Sequence, residues 1–225
     1  MNNRTKYLTT LAMLTAIGFT IGALLRFRFI PGAPFLTYDP KDVAILMGGF
    51  IYGPLAALTL SVTLALLEMV TISDSGPIGA VMNALASASF TCTAAFVYSR
   101  ARNIKGAVIG LSLGIVATAV TMLAFNYVFV PLYMGHITRE MVVGMILPIL
   151  LPFNIIKPAL NAAAALILYK HVTKALKAAR LIPADNPADK NAGETNPQNL
   201  TKWVMPFAAL VIVVLIVIIF LLNSH

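Results

Sequence analysis

The sequence predicts an all-α, polytopic membrane protein. Only 11% of its 225 residues are charged and 59% are hydrophobic, whereas soluble domains carry about 25% charged residues. Uncharged stretches recur along the chain, and several approach the ~20 apolar residues that a helix needs to cross a bilayer. We therefore expect a bundle of six transmembrane helices, followed by one additional C-terminal transmembrane helix.

The first helix is predicted over residues 7–25, which are uncharged and follow two basic residues. This stretch exceeds the apolar core of a cleavable signal peptide, which spans about 7–15 residues. Residues 26–41 contain Pro31, Gly32 and Pro34, so they are predicted to form a loop.

The uncharged stretch 43–67 is interrupted by Gly53-Pro54, so it is either one long helix or two short ones. The positive-inside rule places clustered basic residues on the cytoplasmic side. Such clusters lie at Arg4 and Lys6, at residues 100–105 and at residues 170–180. An even number of crossings between the first two clusters requires a turn at Gly53-Pro54. Two short helices are therefore predicted.

Three further spans complete the predicted bundle. The fourth runs over residues 79–98, and the fifth over 106–130, where Pro131 is expected to end it. The stretch 141–169 is expected to contain the sixth, beginning near Pro152 after an outer loop.

The chain is thus predicted to comprise three parts: a membrane domain at 1–180, a polar, disordered cytoplasmic linker at 181–202, and an extra helix at 203–225. The N-terminus is expected in the cytoplasm and the C-terminus outside, in a bacterial plasma membrane. Trp203 would mark the interface of the last helix, which carries no internal polar group and is interpreted as an anchor or a partner contact.

Polar side chains within the predicted spans fall at one membrane depth. Alternating crossings place six of them in the outer half: Asp42, Glu68, Asn83, Asn126, Asn154 and Lys157. Hydrocarbon penalises each of these groups. Their common depth predicts a polar pocket inside the bundle, open to the outside.

Lys157 is the most informative of these residues, since an unpaired lysine costs roughly 2.5–3.5 kcal/mol near the bilayer centre. Asn154 and Asn161 lie three residues before and four after it, on the same helical face. Lys157 is interpreted either as the partner of Glu68 in a structural ion pair or as a group that reaches a solute, and both roles are compatible.

Other candidates have two readings each. Asn126 lies among aromatic residues that either stack on a ring or form an interface belt. Asp42 either contacts a solute or caps the second helix, and Asp74 either contacts a solute or shapes a turn. The outer loop 34–42, which includes Phe35, Leu36, Thr37 and Tyr38, supplies hydroxyls and carboxylates beside apolar side chains. It is expected to close over a solute.

Several function classes are disfavoured. The three histidines are scattered and no catalytic constellation is apparent, so the chain is not expected to be an enzyme. The phosphate-binding Gly-x-x-x-x-Gly-Lys motif is missing, so energy for transport must come from elsewhere. The net charge of +8 does not indicate nucleic-acid binding, because the basic residues cluster at the ends of the spans.

The chain resembles the substrate-binding S components of energy-coupling factor (ECF) vitamin transporters, most closely the riboflavin-specific type. The most specific motifs are Asn126-Tyr-Val-Phe-Val-Pro-Leu-Tyr133 and Pro152-Phe-Asn-Ile-Ile-Lys157. The segments 34–43, 49–54 and 76–90 recur more loosely among S components.

The resemblance implies that six helices bind riboflavin from outside, as a transported ligand and not as a cofactor. Asn126, Asn154 and Lys157 match the family positions that hydrogen-bond the isoalloxazine ring, and the loop 35–38 would cover the ligand. Ala12 and Ala16 match the alanine motif that contacts the transmembrane coupling subunit, which two ATPase subunits drive. The linker and seventh helix depart from the family pattern.

Three alternatives remain open at this point. The ligand could be another vitamin or flavin mononucleotide (FMN). The chain could instead be a self-sufficient carrier coupled to protons through Glu68, or a membrane assembly factor that transports nothing.

Overall fold

The fold is a helical bundle, seen in a computed structural model that describes residues 3–28, 30, 33, 35–72, 76–135 and 137–178. Its helices are α1 (Asn3–Leu24), α2 (Asp42–Tyr52), α3 (Pro54–Thr71), α4 (Gly76–Arg100), α5 (Ile104–Tyr133), α6 (Arg139–Met145) and α7 (Leu151–Ala178), with a π-helical turn at Ile146–Leu150. The described residues otherwise contain one isolated antiparallel bridge, between Phe27 and Tyr38. The prediction of an all-α protein is confirmed.

Five helical stretches are long and apolar enough to cross a membrane, and α2 is a shorter apolar helix. The protein is therefore a multi-pass membrane protein. Large apolar side chains such as Leu55, Val70 and Leu147 are exposed, as expected of a bundle whose outer surface meets lipid and not water. The predicted linker and seventh helix, residues 181–202 and 203–225, lie outside the described residues.

The chain turns at Gly53-Pro54, as the positive-inside argument predicted. Gly53 has φ +94°, a conformation that only glycine adopts at little cost. Pro54 begins α3, where its missing N–H costs nothing because the first turn of a helix has no intrahelical acceptor for it. Helix α2 has 11 residues and is about 16 Å long at ~1.5 Å per residue, well short of the hydrocarbon thickness.

The prediction that Pro131 ends the fifth helix is wrong, because α5 continues to Tyr133. A proline removes one hydrogen bond, here the bond to the carbonyl of Tyr127. This loss falls in the last turn, which is still closed by the bond from the Met134 N–H to the Val130 carbonyl at 3.0 Å.

The predicted outer loop before Pro152 is also wrong, because helical structure begins at Arg139. The Thr138 hydroxyl accepts a hydrogen bond from the Met141 N–H and caps α6. The π-helical turn then carries the chain past Pro148 into α7. Its wider turns accommodate a residue without an amide hydrogen, so the prolines distort the helix without breaking it.

The connection between α1 and α2 is packed against the bundle. Ile30, Ala33 and Leu36 are buried in an apolar cluster with side chains of α5, α6 and the start of α7. A second, larger apolar cluster fills the space among α1, α2, α3, α4, α5 and α7. The connection is thereby fixed over one end of the bundle.

Candidate functional site

A cavity opens at the end of the bundle that carries the α1–α2 connection. It encloses about 960 Å³ of empty space, its open mouth included, which is within the range of small-molecule sites. All six polar residues that the sequence placed at one depth line it: Asp42, Glu68, Asn83, Asn126, Asn154 and Lys157. Five helices thus bring their polar side chains to one place.

The connection supplies part of the cavity wall. Phe35, Leu36 and Thr37 line the cavity, whereas Tyr38 is buried beside it and its hydroxyl donates to Asn161. Asp74 lies outside the described residues. Ala12 and Ala16 do not line the cavity and are exposed on one face of α1.

Lys157 is paired with Asp39 and not with Glu68, which corrects the ion pair considered from the sequence. Its Nζ lies 2.9 Å from Asp39 Oδ2 and donates a second bond to the Thr37 carbonyl at 3.3 Å. An ammonium group has three donor hydrogens, so the third is available for a further acceptor. Lys157 lines the cavity, where such an acceptor would lie.

Glu68 is held instead by Lys41, whose ammonium group donates to Glu68 Oε2. The Asn83 amide donates to the same oxygen. Lys41 is only 1% exposed. Because hydrocarbon penalises an isolated ammonium group, this lysine is stable here only with its carboxylate partner.

The expectation that Asp42 caps α2 is also wrong. Asp42 is the first residue of the helix, and the residue before it, Lys41, forms no side-chain cap. Asp42 Oδ1 accepts from the Ser87 hydroxyl at 2.6 Å, and Oδ2 accepts from the Asn161 amide at 3.0 Å. Its carboxylate thereby joins α2, α4 and α7.

Asn161 also fastens the connection to α7. Its amide nitrogen donates to the Asp39 carbonyl at 3.2 Å, and its oxygen accepts from the Tyr38 hydroxyl at 3.1 Å. Burial, and then the Asp39 carboxylate, raise the pKa of the Tyr38 phenol, so this hydroxyl remains a donor. Asn161 shares the helical face of Lys157, as predicted, but it serves the connection.

Asp39 is ionised despite its burial. Burial opposes ionisation, but the ammonium groups of Lys157 and Lys41 outweigh it and hold the pKa of this carboxyl below its usual range. Lys41 Nζ lies 3.7 Å from Asp39 Oδ1, too far for a good hydrogen bond. Among the described residues, Asp39 Oδ1 is the buried side-chain oxygen or nitrogen without a hydrogen-bond partner.

The side-chain amides of Asn126 and Asn154 form equivalent hydrogen bonds within their helices. Each Nδ2 donates to a carbonyl one turn earlier in its own helix, Met122 at 2.6 Å and Leu150 at 2.8 Å. These bonds fix both side chains, and both line the cavity. A side-chain amide offers a second N–H and an oxygen, so each can donate to and accept from one ligand.

Sequence reasoning did not assign Asp39 and Lys41 to the site. The signal was their position, since Tyr38-Asp-Pro-Lys-Asp42 places three charges within four residues at the start of an apolar helix. It also missed the apolar wall, which includes Met82, Phe90 and Phe153. These residues look like any other core residue in a hydrophobic sequence.

Residues 6–169 match the family model of the ECF transporter substrate-specific component. The chain therefore belongs to the family of substrate-specific components of ECF transporters, which are transport proteins and not enzymes.

Two proteins that resemble the chain are riboflavin transporters. The chain is 33% identical over 180 residues to the riboflavin transporter RibU of Staphylococcus aureus (strain TCH60), covering 76% of this chain and 93% of that protein. It is 31% identical over 163 residues to the riboflavin transporter FmnP of Bacillus subtilis (strain 168), covering 68% of this chain and 85% of that protein.

A solved structure is similar as well. The fold matches that of the S component of a bacterial ECF transporter with a TM-score of 0.66 and 32% identity. The match covers 77% of this chain and 99% of that chain.

Proposed function

We propose that this protein captures riboflavin in its polar cavity and delivers it for ATP-driven uptake. The observation that carries the proposal is the convergence of Asn126, Asn154 and Lys157 on one cavity. At the pyrimidine edge of the flavin ring, one N–H lies between two carbonyls. An ammonium group and two amides can donate hydrogen bonds to both carbonyls.

The rest of the cavity suits the rest of riboflavin. Phe35, Phe90 and Phe153 line it, and aromatic side chains pack well on a flat tricyclic ring. The carboxylates of Asp39 and Glu68 line it too, and carboxylate oxygens accept hydrogen bonds from hydroxyls such as those of the ribityl chain. The names of the two riboflavin transporters that resemble the chain support this ligand.

Titration calorimetry of the purified protein with riboflavin, FMN and thiamine tests the ligand. We expect riboflavin to bind most tightly, because a phosphate group would add negative charge close to Asp39 and Glu68. Tight binding of FMN with weak binding of riboflavin would refute the choice of ligand.

We propose further that Ala12 and Ala16 form part of the contact with a transmembrane coupling subunit powered by two ATPase subunits. Both alanines are exposed on α1, and small residues four apart allow close helix approach. Ala12→Trp should abolish co-purification with the coupling subunit while leaving riboflavin affinity unchanged. Retained co-purification would place that contact elsewhere.

The proposed orientation has the N-terminus in the cytoplasm of a bacterial cell and the cavity facing outwards. The basic residues near Lys6 and Arg100 support it through the positive-inside rule. In a Cys92→Ala background, a membrane-impermeant thiol reagent should label Gly135→Cys on intact cells and should not label Ala101→Cys. The reverse labelling would invert the topology.

A further inference from the structure

Helix α7 contains a proline where it faces the cavity. Pro158 lies inside the helix and lines the cavity together with Asn154 and Lys157. In a regular helix the N–H of residue 158 would bond to the carbonyl of residue 154. Proline has no N–H, so the helix leaves the Asn154 carbonyl without this donor.

The carbonyl released in this way belongs to the cavity face of the helix. A helical carbonyl points along the axis towards the residue four positions later, so it lies between those two side chains. Here the two side chains are Asn154 and Pro158, and both line the cavity. A bound ligand would shield this acceptor from water, which is costly unless the ligand itself supplies a donor.

We propose that the backbone carbonyl of Asn154, released by Pro158, accepts a hydrogen bond from the ring N–H of the bound ligand. This proposal rests on the proposed function, since oxidised riboflavin has one ring N–H, the imide between its two carbonyls. The carbonyl recognises an imide N–H flanked by acceptors, and Pro158 is a specificity-determining residue for that ligand class.

Pro158→Ala tests the proposal, because alanine restores the helical N–H and occupies the carbonyl. Riboflavin should bind about five- to tenfold more weakly, the effect of one lost hydrogen bond, while the melting temperature stays the same or rises. Pro131→Ala is the matched control, since Pro131 also lies inside a helix and Pro131 does not line the cavity. Its riboflavin affinity should be unchanged.

Riboflavin methylated on the imide nitrogen separates hydrogen bonding from a change in helix shape. This analogue lacks the donor, so it should bind Pro158→Ala and the wild type with equal affinity. Equal weakening of both ligands by Pro158→Ala would assign the proline to helix shape and overturn the proposal, as would unchanged riboflavin binding. Failure of the wild type to bind riboflavin at all would instead refute the proposed function.

Discussion

Lys157 connects the stability of the bundle with recognition of the ligand. Two of its donors hold Asp39 and the Thr37 carbonyl, so the lysine fixes the connection that forms one wall of the cavity. Its third donor serves the ligand in the proposed function. Substituting Lys157 alone removes the ion pair and the ligand contact together. A second substitution, at Asp39, is needed to separate the two effects.

Lys157→Met should lower the free energy of unfolding by about 3–5 kcal/mol, because it leaves the buried Asp39 without its closest cation. Adding Asp39→Asn should recover most of this loss by removing the uncompensated charge. Riboflavin affinity should remain weak in both variants. Thermal unfolding in detergent and titration at low temperature measure the two effects.

If the double variant regained wild-type riboflavin affinity, Lys157 would serve the ion pair alone. If neither variant lost stability, the ion pair seen at 2.9 Å would contribute nothing to the fold.

The ionisation of Asp39 predicts how stability depends on pH. Its folded pKa lies below the usual value because Lys157 and Lys41 outweigh burial. A lowered pKa stabilises the folded state above the unfolded value of about 3.9, and this stability is lost as the pH falls towards the folded value. The wild type should therefore exceed Asp39→Asn in melting temperature by a constant margin between pH 5 and 8.

That margin should shrink below about pH 4, since Asp39 becomes protonated in both the unfolded and folded chains. Circular dichroism at a series of pH values measures it. A margin that stays constant down to pH 3.5 would show that Asp39 does not carry this charge.

Helices α4 and α5 approach each other closely at two glycines of α5. A Cβ added at Gly110 would lie 2.7 Å from the Ala94 carbonyl oxygen, and one added at Gly114 would lie 2.6 Å from the Phe90 carbonyl oxygen. Both obstacles are backbone atoms and cannot rotate away. Because Asn83 is on α4 and Asn126 on α5, a change at this contact would shift these two cavity residues relative to each other.

Gly114→Ala should destabilise the protein by about 1–3 kcal/mol, the usual cost of overpacking. It should also weaken riboflavin binding, since Phe90 lines the cavity. Gly144→Ala in α6 is the control, because its Cβ would meet no atom within 4 Å. That variant should be neutral or more stable by about 0.5–1 kcal/mol.

Thermal unfolding and titration of both variants measure these effects. Equal melting temperatures and equal riboflavin affinities of Gly114→Ala and Gly144→Ala would show that α4 and α5 separate easily at this contact.

Elements were predictable from the sequence where hydropathy and charge decide them. The uncharged stretches and the basic clusters predicted the spans and the turn at Gly53, because lipid imposes both patterns. Prolines misled the prediction at Pro131 and Pro152. A proline costs one hydrogen bond, and the loss is small in a last turn or beside a π-helical turn.

At the scale of the whole molecule, alternating crossings predicted which polar residues meet. Depth follows from the order of the spans, so the sequence alone predicts that Asn83, Asn126 and Asn154 lie in one pocket. The ion pairs did not follow, because depth alone does not state which carboxylate faces which ammonium group. Asp39 was missed as the partner of Lys157 because it lies in a loop, where a charge usually needs no explanation.

The described bundle predicts that the membrane domain is sufficient for ligand binding. Among the described residues, those that line the cavity all lie between Arg26 and Pro158, and the family match ends at residue 169. A chain ending after Arg180 should therefore bind riboflavin within about twofold of the affinity of the full chain, since the truncation keeps all of these lining residues. Fluorescence quenching of riboflavin by both proteins, purified in the same detergent, measures this ratio.

A loss of more than tenfold, about 1.4 kcal/mol, in a truncated protein of unchanged melting temperature would show that residues 181–225 contribute to the site. Comparing co-purified partners of both forms then tells whether the tail, expected from the sequence to be an anchor or partner helix, recruits a subunit that the bundle alone does not.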